Sequence, residues 1–429
     1  MATYGLPRMR ILNARWIGEF GQERVGELYT RAGKWSPASD DDAVLDASGL
    51  LLCPGIVDPH VHFREPGAVY KEGIVRGCHA ALAGGVTTIL EMPNTVPVCS
   101  TPEAYAQKHA LYTDKCPMRW GLHYQAASGP QKRPHDLIAS AKIYMAKSSQ
   151  DAAVISLVDV LEVFKRFNRV AVHAEDETGF CRALPDWVNP ARAHHVRRPI
   201  EAIAMALKTL ERALKCLPAA ERPRLILCHV GTALEVAWVR RMKYEDFDVW
   251  AETCPHYLLL TDEDYMQLGD RLKVNPPLRS RENADAVLAA LADGTIDFLA
   301  TDHAPHTPQE KAIGDGAPSG IASVEVLLPL ALSRFARPIG VGRLWDALST
   351  RAAIAYGLHN VGHIAEGHWA DFSLVREGQF EAAAPITAAQ WHPYLQDTFQ
   401  HRVERTYVGA ALRYELGVLV GGPGREVYA

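Results

Sequence analysis

At 429 residues, with 48% apolar and 22% charged side chains, the chain is long enough to bury a large core and has the balance of an ordinary globular protein. A formal net charge of −5 gives no electrostatic footprint for nucleic acid or an anionic membrane, so partners of either kind are not expected. No window of about 18 uninterrupted apolar residues occurs, and the first residues lack a charged-then-apolar signal pattern, so the expected location is the cytoplasm.

Residues Met9 to about Leu52 alternate short apolar runs, such as Arg10-Ile-Leu-Asn-Ala-Arg-Trp-Ile17, with Gly, Asp and Ser, and read as a small antiparallel β unit. The stretch Pro54–Gly67 follows, a short apolar run that carries His60 and His62 and stops at the turn signal Pro66-Gly67. Beyond it, short β-rich runs alternate with longer Ala/Leu-rich segments. The predicted strands are Ile56–His60, Thr87–Met92, Trp120–Tyr124, Lys142–Met145, Val170–His173, Leu225–His229, Val249–Glu252 and Phe298–Thr301, the eight that a barrel requires. Helical stretches such as Ser156–Arg166, Pro199–Cys216 and Ala284–Asp293 lie between them, so the alternation argues for parallel βα units. Gly314–Gly320 is a Gly/Pro-containing loop expected to act as a mobile rim.

Strand character returns at Trp369–Val375 and Arg402–Val408 with little helical periodicity. The expected architecture is therefore α/β: a (β/α)8 barrel over 55–363, and a small discontinuous β domain built from 1–54 with 364–429. No internal repeat or low-complexity tract is visible. The eight cysteines are scattered without a Cys-x-x-Cys pair, which indicates neither a thiolate zinc site nor a disulfide framework, although Cys228 and Cys254 adjoin candidate site residues and are candidates to line a pocket.

A (β/α)8 barrel places its chemistry at the C-terminal ends of its strands. His60 and His62, two apart, point to one side of an extended strand, and Arg64 continues their parity if that geometry persists. Lys142 lies in the fourth strand, His173 ends the fifth, His229 the sixth and Asp302 the eighth, so six groups able to serve a metal converge on one face. Each histidine taken alone is as well explained as a satisfied interior imidazole; their arrival from independent strands favours ligation. Four histidines and an aspartate suit zinc, or another first-row ion, better than magnesium or calcium. Two ions about 3.5–4 Å apart, bridged by a shared ligand, use this many donors better than one. Lys142 reads either as a salt-bridged strand lysine or, if burial frees its amine to add CO2, as a carbamate whose two oxygens bridge the ions.

Over essentially its whole length the chain resembles the dihydroorotases of the amidohydrolase superfamily. The likeness is carried by Asp58-Pro-His-Val-His-Phe-Arg-Glu-Pro-Gly67, Glu91-Met-Pro-Asn94, Lys142-Ile-Tyr-Met145, His173-Ala-Glu-Asp176, His229-Val-Gly-Thr232, Glu252-Thr-Cys-Pro-His256, Lys273-Val-Asn-Pro-Pro277 and Thr301-Asp-His-Ala-Pro-His306. Ile364-Ala-Glu-Gly-His-Trp-Ala-Asp371 resembles the return into the family's small β domain. The His-x-His with a downstream aspartate marks the superfamily, whereas the Phe-Arg-Glu-Pro-Gly continuation is narrower.

The resemblance implies two zinc ions per chain, one held by His60, His62 and Asp302 and the other by His173 and His229, with carboxylated Lys142 bridging. It makes Asp302 the proton shuttle as well as a ligand. It assigns Arg64, Asn94, Asn275 and His306 to the substrate's carboxylate and ring; without it, both asparagines read as turn residues beside prolines and His306 as a loop histidine. The implied reaction is the reversible cyclisation of N-carbamoyl-L-aspartate to L-dihydroorotate, a step of pyrimidine synthesis, and a homodimer is common among such relatives.

Two departures stand out. Some bacterial dihydroorotases bridge their metals through an aspartate in an Asp-Asp-Gly stretch; Lys-Ile-Tyr-Met stands here instead, which favours Lys142 and leaves Asp151 as a weaker substitute. The loop Ala317-Pro-Ser-Gly-Ile-Ala-Ser-Val-Glu325 only partly matches the family's Pro-x-Gly segment with its Gly-Leu-Glu continuation. The rival functions are an allantoinase or a dihydropyrimidinase/hydantoinase, which take uncharged rings, and a catalytically silent partner protein. Arg64 discriminates against the former, and the complete ligand set against the latter.

Overall fold

The computed structural model describes residues 8–18, 22–38, 43–127, 129, 131–132, 134, 137–147, 153–184, 188, 192–422 and 424–428, so Asp151 lies outside the described residues. Five strands open the chain: β1 (Met9–Ile17), β2 (Glu23–Arg31), β3 (Lys34–Ser36), β4 (Val44–Asp46) and β5 (Leu51–Pro54). The barrel staves follow as β6 (Ile56–Val61), β7 (Val86–Glu91), β8 (Arg119–Leu122) continued after His123 by β9 (Tyr124–Gln125), β10 (Ala141–Tyr144), β11 (Arg169–His173), β12 (Arg224–Leu227), β13 (Val249–Thr253) and β14 (Phe298–Leu299). Every pairing between neighbouring staves is parallel. The ring closes where Val61 bridges His303 and the His62 amide donates to the His303 carbonyl at 2.8 Å. All eight expected strands form, with ends displaced by no more than two residues.

These runs become strands because they are short, apolar and buried on both faces, between the barrel interior and an outer layer of helices. Val57, Leu90, Ala171, Ile226, Cys228, Phe298 and Tyr356 form one cluster, and residues from β6, β7, β11, β12 and β14 can meet only inside the ring. Amphipathic helices cover the outside; Leu157–Arg166 and Ile200–Cys216 each bury one face, and Ser156 caps the former by accepting from the Asp159 amide.

The two chain ends share a second sheet. Strands β15 (Phe372–Glu381), β16 (Thr398–Val408), β17 (Ala411–Glu415) and β18 (Val418–Leu419) continue it in the order β18-β17-β16-β15-β5-β1-β2-β3, and β15 pairs with β5 in antiparallel register, Phe372 opposite Pro54. The N-terminal unit is not purely antiparallel as expected: β1 runs parallel to both β4 and β5. Enough chain separates these strands for a crossover, so no hairpin forces the antiparallel sense. A final short strand, β19 (Arg425–Glu426), pairs with β8 of the barrel. The sheet is tied to the barrel by the buried pair Arg119–Asp371, with Nε at 2.5 Å and Nη2 at 3.1 Å, and Asp371 also accepts from the Gly409 amide.

Candidate metal centre

The C-terminal ends of the staves bring His60, His62, His173, His229 and Asp302 together. Asp302 Oδ1 lies 3.2 Å from His60 Nε2 and 3.0 Å from His62 Nε2. His173 Nδ1 faces His229 Nε2 at 3.0 Å, a separation compatible with two ligands of one ion at roughly 2.0–2.1 Å each. Asp58 sets this end of the barrel: its carboxylate accepts from the Thr301 hydroxyl at 2.5 Å, the Thr301 amide at 3.1 Å and the His60 amide at 3.3 Å, locking β6 to the segment that carries Asp302.

Three of the four rings are oriented from behind, while His229 Nδ1 is buried without a partner. His60 Nδ1 contacts Glu252 Oε1; His62 Nδ1 donates to Asn94 Oδ1 at 2.6 Å; His173 Nε2 donates to Glu175 Oε2 at 2.9 Å. These partners place the protons on the outward nitrogens and leave lone pairs aimed into the site, as metal-binding imidazoles require. Burial holds the His60 and His229 imidazoles well below their ordinary pKa, with the nearby Lys142 cation adding to the effect, and burial likewise lowers His173. Burial alone would raise the Asp302 carboxyl, but positive charge at the His60 and His62 nitrogens facing it outweighs burial and keeps it well below the usual carboxylate range; with the rings neutral, a bound cation would take the place of those protons. Neutral imidazoles beside an ionised carboxylate form a donor set that fits divalent first-row ions.

Lys142 is fully buried beneath the pocket. Its Nζ donates to Cys228 Sγ at 2.9 Å, and that thiol is itself pushed toward its neutral form by burial. No carboxylate lies within ion-pair distance of Lys142 among the described residues, an arrangement that is costly for an ammonium.

Nine of the ten sequence-predicted site residues, all except Lys142, line one cavity of about 290 Å³ at the barrel mouth. Arg64 reaches it by a route the strand alternation did not foresee. The extended geometry ends after β6, and Arg64 takes φ +64°, with the Phe63 amide held by the Glu91 carboxylate. His229 and Asp302 also have positive φ, at +41° and +46°. Such conformations are rare outside glycine and gather at functional sites. His306 Nδ1 is 3.2 Å from Lys71 Nζ and accepts from it, so Nε2 carries the proton and donates to the Ser319 carbonyl at 3.1 Å. That leaves nothing for Arg64 Nη2 to donate to at its 3.2 Å contact with His306 Nε2, and Arg64 Nε is buried without a partner.

Cys228 and Cys254, candidates for pocket walls, are buried away from the cavity. The loop Gly314–Gly320, expected to act as a mobile rim, closes on itself through Ala317 N to Gly314 O and meets the neighbouring segment through Gly320 N to Lys273 O. Sequence reasoning gave no role to Glu252, Glu175 or Arg198. Glu175 stands two residues after His173 and is clamped by Arg198, and only that adjacency was a signal. Glu252→Gln is expected to weaken metal retention about 10- to 100-fold, because the amide orients His60 less firmly than the carboxylate does. Competition against a chelator measures this, and unchanged affinity would remove Glu252 from the centre's support.

The comparisons with known proteins bear on family and fold. The model of the amidohydrolase family matches residues 51–393. A dihydroorotase of Bacillus caldolyticus is 34% identical over 394 residues, covering 89% of this chain and 91% of that protein. One from Lactobacillus johnsonii is 31% identical over 410 residues, covering 88% and 91%. Among solved structures, an L-hydantoinase (dihydropyrimidinase) from Arthrobacter aurescens superposes with a TM-score of 0.86 at 24% identity over 98% of this chain and 99% of that one. The dihydropyrimidinase of Brevibacillus agri gives the same TM-score, identity and coverage, and at such identity the likeness speaks for the fold alone. A barrel with a discontinuous β domain, a metal-compatible centre at its strand ends and this family match together lead to one conclusion: the chain belongs to the amidohydrolase family.

Proposed function

We propose that the chain is a dihydroorotase that interconverts N-carbamoyl-L-aspartate and L-dihydroorotate in pyrimidine synthesis. The observation that carries this reading is Arg64: its guanidinium lines the cavity, its Nε has no partner, and it forms no ion pair among the described residues. A cation so placed calls for an anionic substrate group, and dihydroorotate has a carboxylate that dihydrouracil, hydantoin and allantoin lack. The dihydroorotases among its relatives support the same choice. The reading extends to catalysis by the barrel over 55–363, with 1–54 and 364–429 forming the small domain, and to a cytoplasmic homodimer.

Two zinc ions, one held by His60, His62 and Asp302 and the other by His173 and His229 with carboxylated Lys142 between them, would supply an activated water near neutral pH and polarise the ring carbonyl. The protein's own groups do the rest. In the hydrolytic direction Asp302 accepts a proton from the attacking water and delivers it to the ring nitrogen as the amide C–N bond breaks; in ring closure the proton returns by the same path. Arg64 and Asn94 orient the substrate carboxylate so that one carbonyl meets the attack, while Asn275 and His306 flank the ring.

Lys142→Ala is expected to lose metal and activity together, by more than the 10- to 100-fold typical of removing a group one shell further out. Elemental analysis beside the assay checks it. Two bound ions with full activity in this variant would sink the bridging role. The reaction itself is tested by giving the metal-replete protein dihydroorotate, dihydrouracil, hydantoin and allantoin in parallel. Efficient turnover of a neutral ring with none of dihydroorotate would replace this function with that of a hydantoinase or allantoinase.

A further inference from the structure

Behind the cavity wall, the ammonium of Lys311 is held by three backbone carbonyls: Lys273 O at 3.1 Å, Pro318 O at 3.0 Å and Gly320 O at 3.0 Å. An ammonium has three N–H donors and no acceptor, so these bonds occupy all of them. The carbonyls belong to two arms that reach the cavity separately. Lys273 leads into Asn275, while Pro318 and Gly320 flank Ser319, and both Asn275 and Ser319 line the cavity. Lys311 itself ends the short helix Pro308–Lys311, which is fixed by a capping box between Thr307 and Glu310 directly after His306.

The arms also touch one another. Ser319 Oγ lies 3.0 Å from Asn275 Oδ1, Gly320 N donates to Lys273 O at 2.8 Å, and His306 Nε2 donates to Ser319 O at 3.1 Å. Gly320 has φ +149°, and a Cβ there would stand 2.4 Å from the Ala304 carbonyl, so the loop is seated against the segment following Asp302 without slack. Each contact between the arms is a single neutral hydrogen bond, whereas Lys311 supplies three from one amine; burial lowers its pKa to about 7, so below that pH the three bonds are charge-assisted and roughly twice as strong.

We infer that Lys311 is a positioning residue whose buried ammonium staples the arms bearing Asn275, Ser319 and His306 into one substrate-binding wall. The inference rests on the reading of this cavity as the dihydroorotate site. Lys311 itself does not line the cavity, so it acts on substrate only through the residues it holds.

Lys311→Met removes the three donors at nearly constant length. In the metal-replete protein it is expected to raise KM for dihydroorotate roughly tenfold to hundredfold, while kcat changes by less than about threefold and metal content stays at the wild-type level. Hydrogen–deuterium exchange in peptides spanning 314–322 should quicken at the same time. A lysine that merely stabilised the fold would lower active protein without separating KM from kcat. Lys311→Gln keeps two donors on a shorter arm and gives the same readouts at intermediate size should the methionine variant fail to fold. Exchange unchanged and KM within about twofold of wild type in a folded variant would overturn the staple. The exchange measurement needs no substrate, so wild-type protein that ignores dihydroorotate would sink the proposed reaction and still leave the staple open to test.

Discussion

Asp302→Asn is expected to cut turnover about 10²- to 10⁴-fold in both directions, the range that a positioned proton-transfer group contributes. Its carboxylate does two things that an amide cannot: it offers an anionic oxygen within 3.2 Å of both His60 Nε2 and His62 Nε2, and it accepts a proton. The pH dependence separates the two directions. His60 and His62 hold Asp302 ionised far below neutrality, so its stabilising charge is present across the working range and would be lost only as pH falls through that depressed value. A loss of hydrolysis near neutral pH would therefore report the coupled unit of Asp302 and the attacking water, not this carboxyl alone. Ring closure needs the protonated form of the same unit and should gain where hydrolysis fades. Steady-state profiles in both directions, with metal content measured on each sample, test the assignment. Superimposable profiles, or an asparagine variant with intact metal and more than about a tenth of wild-type turnover, would remove Asp302 as the shuttle.

What the chain revealed in advance follows from where its signals are local. The barrel staves are short, apolar and buried on both faces, so β6, β7, β10 and β11 appear as compact runs bounded by turns and could be placed within two residues. The candidate ligands His60, His62, His173, His229 and Asp302 could be named because each stands near the C-terminal end of one of these runs or just beyond it, whereas Lys142 lies inside β10. The support around them could not. Glu252 orients His60 from 192 residues away, and in sequence it is an acid at the end of one more strand. Backbone conformation was equally hidden, since nothing in Phe63-Arg64-Glu65 announces φ +64°; the alternation argument placed Arg64 on the right face by a geometry that the structure does not adopt. The parallel sense of β1 with β4 and β5, the pairing of β19 with the barrel and the carbonyl cage of Lys311 all depend on contacts between segments remote in sequence.

Arg64→Met is expected to separate substrate choice from metal binding. Burial pushes the Arg64 guanidinium below its ordinary pKa, against the pull of Glu91 and Asp302, yet an arginine remains charged throughout the working range. It thus faces the cavity as a desolvated cation whose side-chain contact at 3.2 Å, His306 Nε2, is itself a donor. A substrate carboxylate meets that need with charge-assisted bonds, and losing one side of such a pair costs roughly 2–5 kcal/mol, or about 30- to several thousand-fold. Methionine fills a similar volume with no donor, so kcat/KM for dihydroorotate should fall by at least the lower factor. Arg64 is not a ligand, and metal content should remain that of the wild type. A neutral ring loses nothing by the change; residual activity on dihydrouracil or hydantoin should hold steady or rise, because the unpaired charge that such a ring must bury has gone. Parallel assays of both enzymes on the charged and neutral rings, with elemental analysis, give the full comparison. Equal losses on both classes of ring would mean that Arg64 supports the site's architecture instead of reading the carboxylate, and the choice of dihydroorotate would then lose the observation on which it rests.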